Sequence, residues 1–88
     1  MTEWIILANR SEKFEILIAS DPDHEEVAAE IYVNGKFVAL INQDEGYDQL
    51  LLELPGPGLN EQEIERNVDL DGFLEAIGAA RKRLIGKP

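Results

Sequence analysis

The sequence contains no cysteine and a single histidine, His24. The missing cysteines exclude disulfide bonds, thiolate metal sites and cysteine nucleophiles. A small domain without such cross-links relies on its hydrophobic core or on association with another chain. The 88 residues suit one domain, residues 1–88, whose core is too small for a large internal active-site cavity.

Long apolar runs are also missing. The run at residues 4–8 has five residues and follows an acid, Glu3, whereas a signal peptide has a longer hydrophobic region behind a basic residue. No stretch approaches the ~20 apolar residues that span a bilayer. We therefore expect a cytoplasmic protein with no membrane partner.

Positive charge is scarce. Eight bases oppose eighteen acids, for a net charge of −10. Four of the bases lie in the last eight residues, so residues 1–80 hold eighteen acids and four bases, a net charge of −14. Phosphate backbones repel such a surface, which argues against nucleic-acid binding, whereas a basic protein is attracted to it. Acidity that serves solubility alone is the alternative.

Five segments have the length and composition of β-strands: residues 3–9, 13–20, 27–33, 36–42 and 47–54. The dipeptide Asn34-Gly35 between the third and fourth segments predicts a type I′ hairpin turn. Prolines and glycines at residues 55–58 end the sheet. For residues 59–68, an irregular crossing and a short edge strand are both open.

Residues 70–85 show helical periodicity, with Asp69 as the N-cap. The apolar stripe of this helix holds Leu70, Phe73, Leu74, Ile77, Ala80 and Leu84. We therefore predict an α+β fold, an antiparallel meander of about five strands with one C-terminal helix packed on one face. Arg81 projects into the apolar stripe; it either reaches water past the helix end or pairs with Glu53 or Glu30.

Strict alternation through the hairpin, with Ile31 opposite Val38, gives the sheet two apolar faces. One face carries Ile31, Val33, Val38, Leu40, Leu50, Leu52 and Leu54, and the helix is expected to cover it. The other face carries Tyr32, Phe37, Ala39, Ile41, Tyr47 and Leu51, with one alternate set from the first two strands, such as Trp4, Ile6, Phe14 and Ile16. An uncovered apolar face is typical of association. We expect a second copy or a foreign protein to cover it, and a fold-back of residues 59–68 is the alternative.

His24 lies among acids in the segment "DPDHEE". Carboxylates and an imidazole can bind a divalent cation, and a histidine can act as a general base, so a metal-dependent enzyme around His24 is one hypothesis. The segment lacks the spacing of an EF-hand loop, and no second ligand cluster is evident. A solvated turn is the favoured interpretation, and we predict no catalytic residue, metal ligand or cofactor.

The order of features from Ala29 onward resembles small acidic bacterial immunity-type proteins of polymorphic toxin systems and similar uncharacterised domains. The resemblance rests on a hairpin strand of the form G-x-F-x-A-x-I, on a helix that opens with "DLD", and on the end of that helix. The matching positions are Gly35, Phe37, Ala39 and Ile41, then residues 69–71, then Ala80, Arg83 and Leu84. The resemblance implies inhibition of a basic toxin nuclease domain by binding.

These observations predict a non-catalytic acidic protein that acts by protein–protein contact, as a homodimer through the sheet face, as a binder of a basic partner, or as both. The residues predicted to bind partners are Tyr32, Phe37, Ile41 and Tyr47 of the sheet and the acids Asp21, Asp23, Glu25, Glu26, Asp44, Glu45 and Asp48 of the loops. A structural homodimer with acidity for solubility is the alternative, and the metal-dependent enzyme is a minor one.

Overall fold

The computed structural model describes residues 2–7, 13–20, 24 and 26–85, and for residues 2–7 it describes the backbone only. The elements are β1 (Thr2–Leu7), β2 (Lys13–Ala19), β3 (Ala28–Val33), β4 (Lys36–Asn42), β5 (Leu51–Glu53) and α1 (Leu70–Ile85), with a 3₁₀ turn at Glu61–Glu63. The strands form one sheet in the order β1-β2-β3-β4-β5, and every neighbouring pair is antiparallel. The prediction of an α+β fold with an antiparallel sheet and a C-terminal helix is confirmed.

Only four of the strands are long. They have six or seven residues each, whereas the fifth, predicted over residues 47–54, has three. The prediction is wrong for the start of that segment because a second turn follows the one at residues 43–46. The amide of Gly46 donates to the carbonyl of Gln43 at 3.0 Å, and the amide of Gln49 then donates to the carbonyl of Gly46 at 3.2 Å. Gly46 has a φ of 105°, which a strand residue does not adopt.

The hairpin between β3 and β4 contains a β-bulge. Its turn has the predicted positive φ at both central residues, 49° at Asn34 and 85° at Gly35. Tyr32 pairs with Phe37 as predicted, but Ile31 then pairs with Ala39, which leaves Val38 without a partner. Because side chains alternate along a strand, the extra residue exchanges the faces of all β4 residues beyond it. The predicted pairing of Ile31 with Val38 is therefore wrong.

α1 packs on one side of the sheet, which we call the near face; the opposite side is the far face. The buried near-face residues are Phe14, Ile16, Ala29, Ile31, Val33, Val38, Ala39 and Ile41. The predicted placement of Phe14, Ile16, Ala39 and Ile41 on an uncovered face is thus wrong, because the bulge moved the β4 residues and the register of β2 with β3 sets Ile16 beside Ile31. The prediction for Trp4 and Ile6 concerns side chains outside the described part of the chain.

Small residues form the centre of the helix surface that faces the sheet. Gly72, Ala76, Ala80 and Leu84 are the buried residues of α1. They recur at every fourth position, and the small side chains of the first three allow the helix backbone to approach the sheet closely. Two residues of the predicted core stripe are instead exposed, Leu70 to 68% and Leu74 to 56%.

The far face is mixed in character. The register places Glu15, Leu17, Glu30, Tyr32, Phe37, Leu40 and Glu53 on it. The rings of Tyr32 and Phe37 meet edge to face, with centroids 5.7 Å apart. Three carboxylates therefore interrupt the apolar surface that the sequence predicts for this side of the sheet.

The chain from Leu54 to Asp69 runs along the edge of the sheet. Ile64 forms a parallel bridge with Phe37, and the amide of Glu65 donates to the carbonyl of Phe37 at 2.9 Å. Both Nε and Nη2 of Arg66 donate to Glu61, at 2.6 and 2.7 Å, and the guanidinium also donates to the carbonyls of Pro55 and Gly56. The segment is thus a crossing held by Arg66 with one strand-like bridge, and it pairs with β4 at the sheet edge instead of folding over the far face. Within the described residues, no helix is long and apolar enough to cross a membrane.

Candidate binding groove

α1 covers the near face unevenly. Its Cα atoms come within 8 Å of β1, β2 and β3. The near-face side chains of β4 are also buried, whereas the three residues of β5 are exposed. Neighbouring strands are ~4.8 Å apart, whereas a helix with its side chains is ~10 Å wide, so one helix covers about two to three strands of a sheet. The uncovered part of the near face is therefore the edge strand β5, where Leu52 is 46% exposed.

A groove lies between α1 and residues 50–54, and we call it the α1–β5 groove. One wall is the flank of α1 that holds Phe73, Ile77 and Arg81, the other wall holds Leu50, Leu52 and Leu54, and the floor holds Val38 and Ile41. It contains two cavities: one of about 330 Å³ beside Ile77 and Arg81, and one of about 170 Å³ beside Phe73. Tyr47 and Asp48 line the wider cavity, and Glu65 and Arg66 line the narrower one.

The walls follow from simple spacing. Alternation along an extended chain places Leu50, Leu52 and Leu54 on one side, and Leu52 shares the near face with its partner Ile41. Spacings of four residues place Phe73, Ile77 and Arg81 on one flank of the helix. Leu52 is 46% exposed and Leu54 is 67% exposed, so the groove is open to solvent and apolar.

Arg81 stands at the end of the groove near the C-terminus of α1. It is exposed and lines the wider cavity together with Asp48. Within the described part of the chain it forms no salt bridge, so neither the predicted pair with Glu53 nor that with Glu30 is present. The position of Arg81 fits the other predicted alternative, in which its guanidinium reaches water beside the apolar stripe.

His24 is held by carboxylates. Its Nδ1 lies 2.5 Å from Oδ2 of Asp44, and its Nε2 lies 2.9 Å from Oε2 of Glu53. Asn42, which is buried, donates to Glu53 and accepts from the amide of Asp44 at 3.2 Å. These four residues join the chain before β3 to β5 and to the turn after β4, which is a structural role.

The same geometry bears on the metal hypothesis. The two ring nitrogens of His24 point at different carboxylates, so one cation cannot bridge both contacts. Among the residues that the structure describes, no group of three or more His, Asp or Glu side chains is arranged to hold a metal ion.

No family model, curated protein or solved structure matches this chain. The arrangement of its own residues is therefore the basis for a function. The α1–β5 groove combines two cavities with exposed apolar side chains, Leu52 and Leu54 among them.

The residues predicted to bind partners fall into separate places. Tyr32 and Phe37 are half-buried on the far face, whereas Ile41 is 4% exposed on the groove floor and Tyr47 lines the groove. The prediction that Ile41 is on an uncovered sheet face is wrong. The acids Glu26, Asp44, Glu45 and Asp48 are exposed in loops, while Asp21, Asp23 and Glu25 lie outside the described residues.

Sequence reasoning missed the groove walls. Alternation alone places Leu50, Leu52 and Leu54 beneath the helix, because it carries no information on how far one helix reaches across the sheet. The signal was present in α1, where Gly72, Ala76 and Ala80 recur at every fourth residue beside a separate flank of large apolar side chains. Such a row of small residues favours close packing of one helix face and leaves the large side chains to one side.

Tyr32 gives a test of the far face. Burial and the hydrogen bond from its hydroxyl to Glu30, 2.9 Å long, raise the pKa of Tyr32 from 10.0 to about 12. The raised pKa means that the folded state holds this proton more tightly, so the associated stability is complete below pH 10 and is lost as the pH rises towards 12. In a Tyr47→Phe variant, where Tyr32 is the remaining tyrosine, absorbance at 295 nm should titrate near pH 12. When the same variant is unfolded in urea, the midpoint of this absorbance titration should fall to about pH 10. Equal titration midpoints for the folded and unfolded protein would contradict the described environment of Tyr32.

Proposed function

We propose that this chain is a non-catalytic acidic binding protein that acts by protein–protein contact through the α1–β5 groove. The observation that carries the proposal is the exposure of Leu52 and Leu54 on one wall of the groove, opposite the half-buried Phe73 and Ile77 of α1. Monomeric proteins rarely expose a contiguous apolar patch beyond a few hundred Å² unless it serves an interaction. The engagement of both His24 nitrogens with carboxylates supports a structural instead of a catalytic histidine.

Charge favours a basic partner. The chain has a net charge of −10, and the exposed acids Asp44, Glu45 and Asp48 belong to the loop that leads into the groove wall. A field of this sign accelerates the approach of a positively charged protein and repels an acidic one. Apolar contact in the groove then supplies the affinity, while the acids make the binding selective for a basic partner.

The resemblance of the hairpin and the helix to immunity-type proteins suggests a more specific partner. On that basis we propose that the protein inhibits a basic toxin domain, such as a nuclease, by occluding its substrate surface. We place this interaction in the cytoplasm, because a small domain without disulfides suits a reducing compartment. A self-associating structural dimer is the competing hypothesis, and the following experiment separates the two.

The photoreactive residue p-benzoylphenylalanine is introduced in place of Leu52, and in a control in place of Val27, which is 39% exposed and outside the groove. Irradiation in cells of the source organism should give a discrete adduct for Leu52 and none for Val27. The purified partner should bind the wild-type protein several-fold more weakly at 300 mM than at 50 mM NaCl. A basic nuclease partner should also lose activity when the protein is added in equal amount.

Two outcomes would contradict the proposal. An adduct with the mass of two copies of this chain would support the structural dimer instead. Equal adducts from Leu52 and Val27, or no adduct from either, would show that the groove is not a specific contact surface.

A further inference from the structure

The contacts of His24 require a proton on each nitrogen of its ring. Nδ1 lies 2.5 Å from Oδ2 of Asp44, and Nε2 lies 2.9 Å from Oε2 of Glu53. An ionised carboxylate only accepts hydrogen bonds, so both nitrogens have to donate, and a ring with two N–H groups is the charged imidazolium. In the part of the chain that the structure describes, no lysine or arginine pairs with Asp44 or Glu53, so His24 is the cation between them.

We infer that His24, Asp44 and Glu53, which we call the His24 cluster, form a pH-sensitive device: the imidazolium joins β5 to the chain before β3, and loss of one ring proton releases β5. A neutral ring has one N–H group and one lone pair. The lone pair would face a carboxylate oxygen, and two acceptors at hydrogen-bond distance repel each other. One of the two contacts therefore has to open when the ring loses a proton. The inference goes beyond the proposed function, and only its consequence for partner binding rests on that function.

The contact with Glu53 is the one that opens. The turn that carries Asp44 has a second tie to the chain before β3, since the side-chain amide of Gln43 donates to the carbonyl of Val27 at 2.9 Å. This hydrogen bond does not depend on the charge of His24. Among the described residues Glu53 has no such second tie to that chain. The neutral ring therefore keeps its proton on Nδ1 for Asp44 and loses Glu53.

Little else holds β5 in place. It has three residues, all exposed, and they pair with three residues of β4. The other donor to Glu53 is Asn42, which lies on β4 itself and does not connect β5 to the chain before β3. The His24 side chain is only 11% exposed, so water has little access to replace a lost contact. Because Leu52 of β5 and Leu54 beyond it form one wall of the α1–β5 groove, loss of the ring proton loosens that wall.

The first measurement is the charge of the ring. His24 is the only histidine in the sequence, so its ring signals in a nuclear magnetic resonance spectrum are unambiguous when the protein carries no histidine tag. Both ring nitrogens should have the chemical shift of an imidazolium at pH 7. The ring should release its proton at a higher pH than in the same protein unfolded in urea, where a histidine titrates near pH ~6.5. Amide signals of residues 50–54 should move with the ring, while those of Lys13–Ala19 stay constant.

The His24 cluster also makes stability depend on pH. The folded state holds the ring proton more tightly than the unfolded chain does. The stability that the cluster adds is therefore present at the unfolded titration near pH ~6.5 and is lost as the pH rises through the folded titration. The urea concentration at the unfolding midpoint should be higher for wild type than for His24→Gln at pH 6, and this difference should shrink at pH 9.

Glu53→Gln tests the partner that is released. A glutamine amide donates to a ring lone pair, so this variant accommodates a neutral His24. We expect the ring to release its proton at a lower pH than in wild type, and the fold to be kept because residue 53 is exposed. Glu45→Gln is the matched control, since it removes the same charge from an exposed residue that forms no ion pair with His24 in the described structure. It should shift the ring titration much less.

Three results would overturn the inference. Titration of His24 at the same pH in the folded protein and in urea would mean that the ring is not held as an imidazolium. Amide signals of residues 50–54 that do not follow the ring would mean that β5 is not released. Shifts of equal size in Glu53→Gln and Glu45→Gln would mean that net charge holds the proton instead of the contact. None of these measurements uses a partner, so their failure leaves the proposed function intact, and a failed photo-crosslink leaves the His24 cluster intact.

Discussion

An alanine in place of Phe14 is expected to lower the free energy of unfolding by about 3–5 kcal/mol. Phe14 is 0% exposed and lies in the near-face cluster with Ile16, Ile31 and Ala76. Its removal leaves a cavity between the sheet and α1 that the surrounding side chains fill only in part. Small domains have only ~0.05–0.15 kcal/mol of stability per residue, so the loss is a large share of the total. Urea denaturation followed by circular dichroism measures it.

Leu17→Ala is the matched control for Phe14→Ala. Leu17 lies on the same strand but pairs with Glu30 on the far face, where it is half-buried. Leu17→Ala should lower the free energy of unfolding by about 1 kcal/mol or less, because few neighbouring side chains cover Leu17. A cost for Leu17→Ala equal to that for Phe14→Ala would mean that α1 does not pack on the face described here.

The contrast between Phe14 and Leu17 shows where sequence reasoning succeeded and where it stopped. The composition of β2 and its neighbours predicts strands, and Asn34-Gly35 predicts the turn, because these features depend on a few adjacent residues. The face of each strand depends on register, and one unpaired residue, Val38, exchanges the two faces of β4. A bulge of this kind has no signal in the alternation of apolar residues, since both faces of the hairpin are apolar.

The rotation of the helix was hard to predict for a related reason. A hydrophobic stripe is located by its large side chains, and that criterion selects Leu70, Leu74 and Ile77. Close packing favours the smallest ones, so the buried centre of α1 is Ala76 and Ala80, and Leu70 and Leu74 are left exposed. The α1–β5 groove arises from this rotation together with the lateral position of α1 on the sheet, and neither is encoded within one element.

An aspartate in place of Ala80 is expected to destabilise the fold by about 3–5 kcal/mol at pH 7, as an unpaired charge in a buried position does. Ala80 is 0% exposed and has no room to direct a carboxylate to water. Burial raises the pKa of such a carboxyl in the folded state above its unfolded value of about 3.9. The folded state therefore holds the proton more tightly, and the cost relative to wild type should be smaller at pH 4 than at pH 7. Urea denaturation of both proteins at each pH measures the difference.

Gly78→Asp is the matched control, with the same side chain two residues away. Gly78 is exposed, and a Cβ atom added there meets nothing within 4 Å. The free energy of unfolding of Gly78→Asp should therefore lie within about 0.5 kcal/mol of wild type at both pH values, as for most surface substitutions. If Ala80→Asp is tolerated as well as Gly78→Asp, α1 does not approach the sheet through its small residues. The flank that holds Ile77 would then be free to turn towards the sheet, and the groove beside it would lose one of its walls.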